Sequence, residues 1–115
     1  MNPAGVVVGS FLDSDCVAYH GFLRSTDGTL TAFDFPGADD TEPSAINPEG
    51  AIAGGYFVAG DPEFRKFLRT PSGSFISFST PGPANITAIN TARAVTGSWF
   101  EPTNFDVSHG FVWTP

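Results

Sequence analysis

The sequence has few basic residues and no long apolar run. Five lysines and arginines stand against twelve aspartates and glutamates, which gives a net charge of −7. Nucleic acids and anionic membranes are bound by clustered basic residues, so we predict that neither is a partner. No stretch approaches the roughly 20 apolar residues that cross a bilayer. We therefore expect no membrane insertion.

Cysteine and recognisable catalytic motifs are also scarce. Cys16 is the only cysteine, which excludes a disulfide framework within this sequence and argues against a cysteine-based zinc site. Asp13-Ser14-Asp15 has the spacing of two calcium ligands, but the glycine and distal glutamate of a full loop do not follow. There is no Gly-x-Ser-x-Gly motif either. We expect no metal, no cofactor and no enzymatic activity.

What the sequence does contain is an internal repeat. A glycine followed two residues later by an aromatic residue occurs at positions 9, 54 and 97, which are 45 and 43 residues apart. A second motif follows each of them: His20-Gly21-Phe22-Leu23, Arg65-Lys66-Phe67-Leu68 and His109-Gly110-Phe111-Val112. A period in the forties is typical of β-propellers and other repeat arrays.

The segments between the turns have the composition and length of β-strands, and no run reads as an amphipathic helix. Four segments, a to d, recur in order and predict ten antiparallel strands in a meander. Segment a covers Val6–Leu12, Ala51–Phe57 and Ala94–Phe100, and segment b covers Tyr19–Ser25, Arg65–Thr70 and Ser108–Thr114. Segment c covers Thr29–Phe35 and Ser74–Thr80, and segment d covers Ser44–Asn47 and Thr87–Asn90.

These segments predict an all-β fold of antiparallel four-strand repeats, about 2.5 β-propeller-like blades in one repeat domain over residues 1–115. The first repeat covers residues 2–46, the second 47–89, and a half repeat 90–115. A ten-stranded meander barrel is the alternative fold. Closed propellers use about four to eight blades, and an open stack leaves faces and edges uncovered. We therefore expect self-association into a ring or a filament.

Several of these motifs, in this order, resemble the HAF-repeat family of predicted extracellular repeat proteins. The matching residues are Ile46-Asn47, Gly50, Ile52, Gly54 and Tyr56, then His20-Gly21-Phe22 and His109-Gly110-Phe111, Gly28-Thr29-Leu30 and Gly73-Ser74-Phe75, and Pro36-Gly37 and Pro81-Gly82. The sequence departs from the family pattern at Arg65-Lys66-Phe67, which lacks the histidine, and at Trp99, where tyrosine is usual. The resemblance implies a propeller-like fold and an extracellular or cell-surface location, with no catalytic residue to transfer.

Six residues are candidates for ligand binding. Trp99, Trp113 and Tyr19 are aromatic residues of the kind that stack on sugar rings. His20, Arg65 and His109 share one repeat position and could line a repeated ligand surface, or make the same structural hydrogen bond in each repeat. The sequence predicts a surface or secreted module for self-assembly and binding, with a lectin-like glycan-binding propeller as the alternative function.

A glycan-acting hydrolase is the second alternative, since it requires two carboxylates that converge in a cleft. Asp13, Asp34 and Asp39 are the candidates for such a pair. The densest acidic segment, residues 38–42, is predicted to be a polar loop between segments c and d.

Overall fold

The computed structural model describes residues 1–15, 17–61 and 64–115, without the side chains of Phe64 and Phe105. Cys16 lies outside the described residues. The described chain is built from strands, turns and connecting segments, and none of it forms a helix long and apolar enough to span a membrane.

Ten β-strands follow one another along the chain. They are β1 (Val7–Leu12), β2 (Tyr19–Arg24), β3 (Leu30–Phe33), β4 (Asp40–Ile46), β5 (Ile52–Phe57), β6 (Phe64–Arg69), β7 (Phe75–Thr80), β8 (Ala84–Ile89), β9 (Val95–Glu101) and β10 (Asn104–Trp113). The prediction of an all-β chain of ten antiparallel strands is confirmed.

The strands form three separate antiparallel sheets. The first contains β1-β2-β3, the second β4-β5-β6-β7 and the third β8-β9-β10. No sheet closes on itself within the described residues, so the alternative of a ten-stranded barrel is wrong. Each d segment pairs with the a segment that follows it, so the sheets are offset by one strand from the a-b-c-d order of the sequence repeat.

Prolines and asparagines set that offset. The chain leaves the first sheet at Phe35-Pro36 and the second at Pro81-Gly82-Pro83, since proline has no N–H with which to continue a ladder. Between β4 and β5, in contrast, Asn47 N donates to Ala51 O at 3.0 Å and Ala51 N donates back to Asn47 Oδ1 at 2.8 Å. This pair of bonds holds the d and a strands together as a hairpin.

The acidic segment at residues 38–42 was predicted to be a loop, and for its second half that prediction is wrong. β4 begins at Asp40, four residues before the predicted start of segment d. Thr41 is fully buried, and its Oγ1 accepts a hydrogen bond from Phe35 N at 3.0 Å. Burial of alternate residues, rather than charge, therefore decides the structure of this segment.

The sheets pack face to face in a fixed order. We call the face that bears the repeated glycine (Gly9, Gly54 or Gly97) the front face of a sheet, and the opposite one its back face. Phe33 lies on the back face of the first sheet, and its ring makes an edge contact with Phe67 on the front face of the second, with 6.5 Å between centroids. Phe35 stacks on Tyr56 at 3.8 Å in the same junction.

The junction between the second and third sheets repeats this arrangement. Phe78, the repeat equivalent of Phe33, stacks on Trp113 at 4.1 Å between ring centroids. Around this pair lies the buried core of Ala51, Ala53, Leu68 and Val95, with Ile86, Ile89 and Phe111 packed against it. In both junctions the back face of one sheet covers the front face of the next.

The repeated glycine is required where the d strand bulges towards it. Register shifts occur in β4 between Pro43 and Ala45 and in β8 between Ile86 and Ala88. A Cβ atom at Gly54 would overlap the carbonyl oxygen of Glu42, and one at Gly97 would overlap that of Asn85. The close approach of two backbones, which only glycine permits, explains this part of the repeat.

Candidate functional site

The front face of the first sheet is an uncovered apolar surface. Phe11, Phe22, Leu30 and Ala32 line a groove of about 360 Å³ on it. Leu30 is 66% exposed and Phe11 is 41% exposed. Exposed apolar side chains that lie next to one another on one face are typical of an interaction surface, whereas apolar side chains scattered singly over a surface are not.

The equivalent residues of the second sheet show what this face lacks. Phe67, the equivalent of Phe22, is fully buried. Tyr56 and Phe75, the equivalents of Phe11 and Leu30, are half-buried and pack on Phe35. The same positions are therefore core in one sheet and surface in the other, and the difference is the presence of a covering sheet.

The back face of the third sheet is the other uncovered face. Val112 is 70% exposed there, whereas its equivalent in the second sheet, Leu68, is fully buried against the third sheet. Thr96 pairs with Val112 across the ladder and is half-buried. An apolar position that is core in the second sheet is thus solvent-exposed in the third.

The side chain at the repeated basic position faces a carboxylate in each sheet. His20 Nδ1 lies 2.8 Å from Asp34 Oδ1, and its Nε2 lies 3.6 Å from Asp13 Oδ2. In the other two sheets, Arg65 Nε lies 2.7 Å from Asp61 Oδ2 and His109 Nε2 lies 3.0 Å from Glu101 Oε1. A basic side chain that faces an acidic one thus recurs on the front faces, with a partner from a different repeat position each time, and the ligand-binding and structural roles of this position both stay predictions.

The three predicted glycan-facing aromatics lie in different environments. The ring of Trp99 stacks on His109 at 4.4 Å, and both residues are on the front face of the third sheet. Trp113 is stacked on Phe78 inside the junction between the second and third sheets. Tyr19 is exposed, and its N–H donates to Asp40 Oδ1 at 2.8 Å. The structure brings together Trp99 and His109, and glycan binding by these residues stays a prediction.

Two of the three candidate hydrolase carboxylates meet at His20. Asp34 faces Nδ1 of its ring and Asp13 faces Nε2, so each ring nitrogen has a carboxylate beside it. Asp39 lies elsewhere, where its Oδ2 accepts a hydrogen bond from Ala59 N at 2.8 Å. Among the described residues, no group of three or more histidine, cysteine or acidic side chains is arranged to hold a metal ion.

The hydrogen bond to Asp34 raises the pKa of His20 above its ordinary value of 6.5. Asp34→Asn is expected to lower this pKa towards 6.5, while Asp27→Asn, on an exposed turn away from His20, should leave it unchanged. An NMR pH titration of the His20 ring measures both. Because the folded pKa is raised, the stabilisation by His20 is fully present below pH 6.5 and is lost as the pH rises through the folded value. An unmoved His20 titration in Asp34→Asn would contradict this ion pair.

Lys66 is a polar feature that the sequence patterns did not reveal. It lies in a pocket of about 120 Å³ between the second and third sheets, with Glu42, Ser44 and Asn85. Burial lowers the pKa of its amine below the ordinary value, and attraction to Glu42 offsets this only in part. The available signal was that Lys66 replaces a glycine, Gly21 or Gly110, of the other two repeats.

Comparisons with known proteins add no relative to this geometry. A scan against protein-family models, a search of curated proteins and a search of solved structures each returned no match. The function therefore has to be inferred from the residues and surfaces of this chain.

Proposed function

We propose that this chain is a non-enzymatic β-repeat module that functions by self-association, in which a second copy covers the front face of the first sheet. The supporting observation is the apolar groove on that face, where Leu30 and Phe11 are exposed. Burying apolar surface stabilises an association by about 25 cal/mol per Å² before its entropic costs are counted.

A second copy is the partner that fits this face best. Inside the chain, each covered front face is covered by the back face of another sheet of the same repeat, through contacts such as Phe33 on Phe67. Three of the four groove positions, those of Phe11, Phe22 and Leu30, hold an aromatic residue in the second sheet. A back face of the kind that covers the internal front faces would therefore fit this groove, and every copy of this chain carries one.

The resemblance to HAF repeats supports an extracellular or cell-surface location for this module. In such a setting, repeated association of one small unit builds a larger array of propeller-like blades, either a closed ring or a filament. Association also multiplies any weak binding site on the unit, because linked copies bind with avidity.

Leu30→Asp tests this proposal most simply. A charge in the groove has to be desolvated when the face is covered, so we expect association to weaken at least about 100-fold. The matched control is Val17→Asp, which places the same charge on a 78% exposed apolar residue in the connection between β1 and β2. The measurement is light scattering over a dilution series from about 10 µM to 1 mM, a range suited to a small interface.

We expect the unmodified chain and Val17→Asp to gain mass together as the concentration rises, while Leu30→Asp stays at 12.1 kDa. Salt should be kept near about 0.15 M, where the Debye length of about 8 Å screens the repulsion between copies of charge −7. An unmodified chain that remains at 12.1 kDa throughout would overturn self-association.

A further inference from the structure

Three asparagines form a directed chain of hydrogen bonds across the three sheets. Asn2 Nδ2 donates to the carbonyl oxygen of Asn47 at 3.1 Å, and Asn47 Nδ2 donates to that of Asn90 at 3.0 Å. In each step the donor belongs to the turn just before the strand with the repeated glycine (β1, β5 or β9) in one sheet, and the acceptor to the corresponding turn of the next sheet. We call this chain of bonds the asparagine ladder.

Each asparagine is held in place by its own turn. The Oδ1 atoms of Asn2, Asn47 and Asn90 accept hydrogen bonds from the backbone N–H four residues later, at distances of 2.8 to 3.0 Å. With Oδ1 fixed in this way, Nδ2 is directed outwards along the ladder. The donor direction is thus built into the turn and does not depend on the presence of a neighbour.

The two ends of the ladder are complementary. Asn90 is exposed, and its Nδ2 makes no hydrogen bond within the described part of the chain. At the other end, the one donor that the described residues supply to the carbonyl oxygen of Asn2 is Gly5 N, whereas the carbonyl of Asn47 accepts from both Gly50 N and Asn2 Nδ2. Asn2 is itself largely buried, at 6% exposure. One end lacks an acceptor and the other lacks a donor.

The two uncovered faces belong to the same sheets as the two open ends of the asparagine ladder. Inside the chain, the sheet whose asparagine donates is the one whose back face covers the next sheet, as for the second and third sheets. The open donor Asn90 belongs to the third sheet, whose back face exposes Val112. The open acceptor Asn2 belongs to the first sheet, whose front face holds the groove.

We infer that copies of this chain stack head to tail, with the back face of the third sheet on the front face of the first sheet of the next copy, and with Asn90 Nδ2 donating to the carbonyl oxygen of Asn2. This direction of stacking rests on the proposed self-association and specifies its geometry. The contact is heterologous, because each copy uses two different surfaces. The hydrogen bond fixes the register, since a buried polar pair that is shifted out of register leaves both groups unsatisfied.

Asn90→Asp is designed to remove the hydrogen bond between copies and to keep the hydrogen bond within the turn. The carboxylate keeps an oxygen for Ala94 N but has no donor for the next copy. The matched control is Asn104→Asp, which makes the same chemical change at an exposed asparagine that accepts from Asp106 N and lies off the ladder. Light scattering over the dilution series above measures association, and thermal unfolding checks that both variants fold.

We expect Asn90→Asp to associate about tenfold more weakly than the unmodified chain, with Asn104→Asp unchanged. Equal association of the two variants would overturn the asparagine contact, while the concentration-dependent mass of the unmodified chain would still support self-association. An unmodified chain that stays monomeric would overturn self-association itself, so the two failures are distinguishable.

Discussion

Replacing Asn47 with alanine is expected to lower the free energy of unfolding by about 4 kcal/mol, the loss expected when several buried polar groups are left unpaired. The side chain is fully buried and makes three hydrogen bonds, accepting from Glu49 N and Ala51 N and donating to the Asn90 carbonyl. Alanine removes all three bonds, and a cavity too small for good solvation replaces the amide. Urea or thermal unfolding measures the effect.

Asn104→Ala is the matched control for this variant. Within the described residues, the side chain of Asn104 accepts one exposed hydrogen bond, from Asp106 N at 3.1 Å. We expect its removal to change the free energy of unfolding by less than about 0.5 kcal/mol, as for most surface substitutions. A loss in Asn47→Ala no greater than that in Asn104→Ala would show that the asparagine ladder does not hold the sheets together.

This stability effect bears on assembly because the same bond occurs inside the chain and, by our inference, between copies. The Asn47 to Asn90 bond is partly buried and joins the second and third sheets. A bond from Asn90 to the next copy lies at a junction where the third sheet contributes three strands rather than four. The junction between copies therefore covers less surface than the internal junction. We expect it to be the weaker contact and to dissociate on dilution.

Much of the fold could be predicted from the sequence because the repeat carries it. The alternation in segment c places Phe33 and Phe78 on the same face, and in the structure both lie on back faces and pack against the next sheet. Strand β6 begins within one residue of segment b, since a fixed period defines each strand more than once.

The grouping of strands into sheets was harder to predict. Segment d is short and its register is shifted by a bulge in both copies, so its length and partner do not show in the alternation of residues. β4 consequently begins at Asp40, inside the acidic segment that charge alone marks as a loop. Strand pairing across a bulge depends on the close packing of the d-strand backbone against Gly54 and Gly97. A sequence pattern shows the glycine but not the backbone that packs against it.

The candidate site could be predicted only in part. Repetition showed that His20, Arg65 and His109 are equivalent, but not that each faces a carboxylate of its own sheet. The asparagines at positions 2, 47 and 90 also recur with the repeat, yet only the structure shows that their amides connect one sheet to the next. Sequence periodicity reports equivalence, while a hydrogen bond between repeats depends on how they are stacked.

Mixing two blocked variants is the second large effect that we expect. Leu30→Asp blocks the front face of the first sheet, and Val112→Asp blocks the back face of the third. In a head-to-tail contact each variant retains one working surface, and the two surfaces are complementary. Either variant alone should therefore remain monomeric, whereas the mixture should form a dimer that cannot grow further.

The mass of this mixture tests head-to-tail self-association most directly. At equal concentrations, well above those at which the unmodified chain associates, light scattering should give 12.1 kDa for each variant alone. The mixture should give about 24 kDa, twice the mass of one chain. A mixture that stays at 12.1 kDa, or a Val112→Asp variant that dimerises with itself through its intact front face, would contradict head-to-tail stacking.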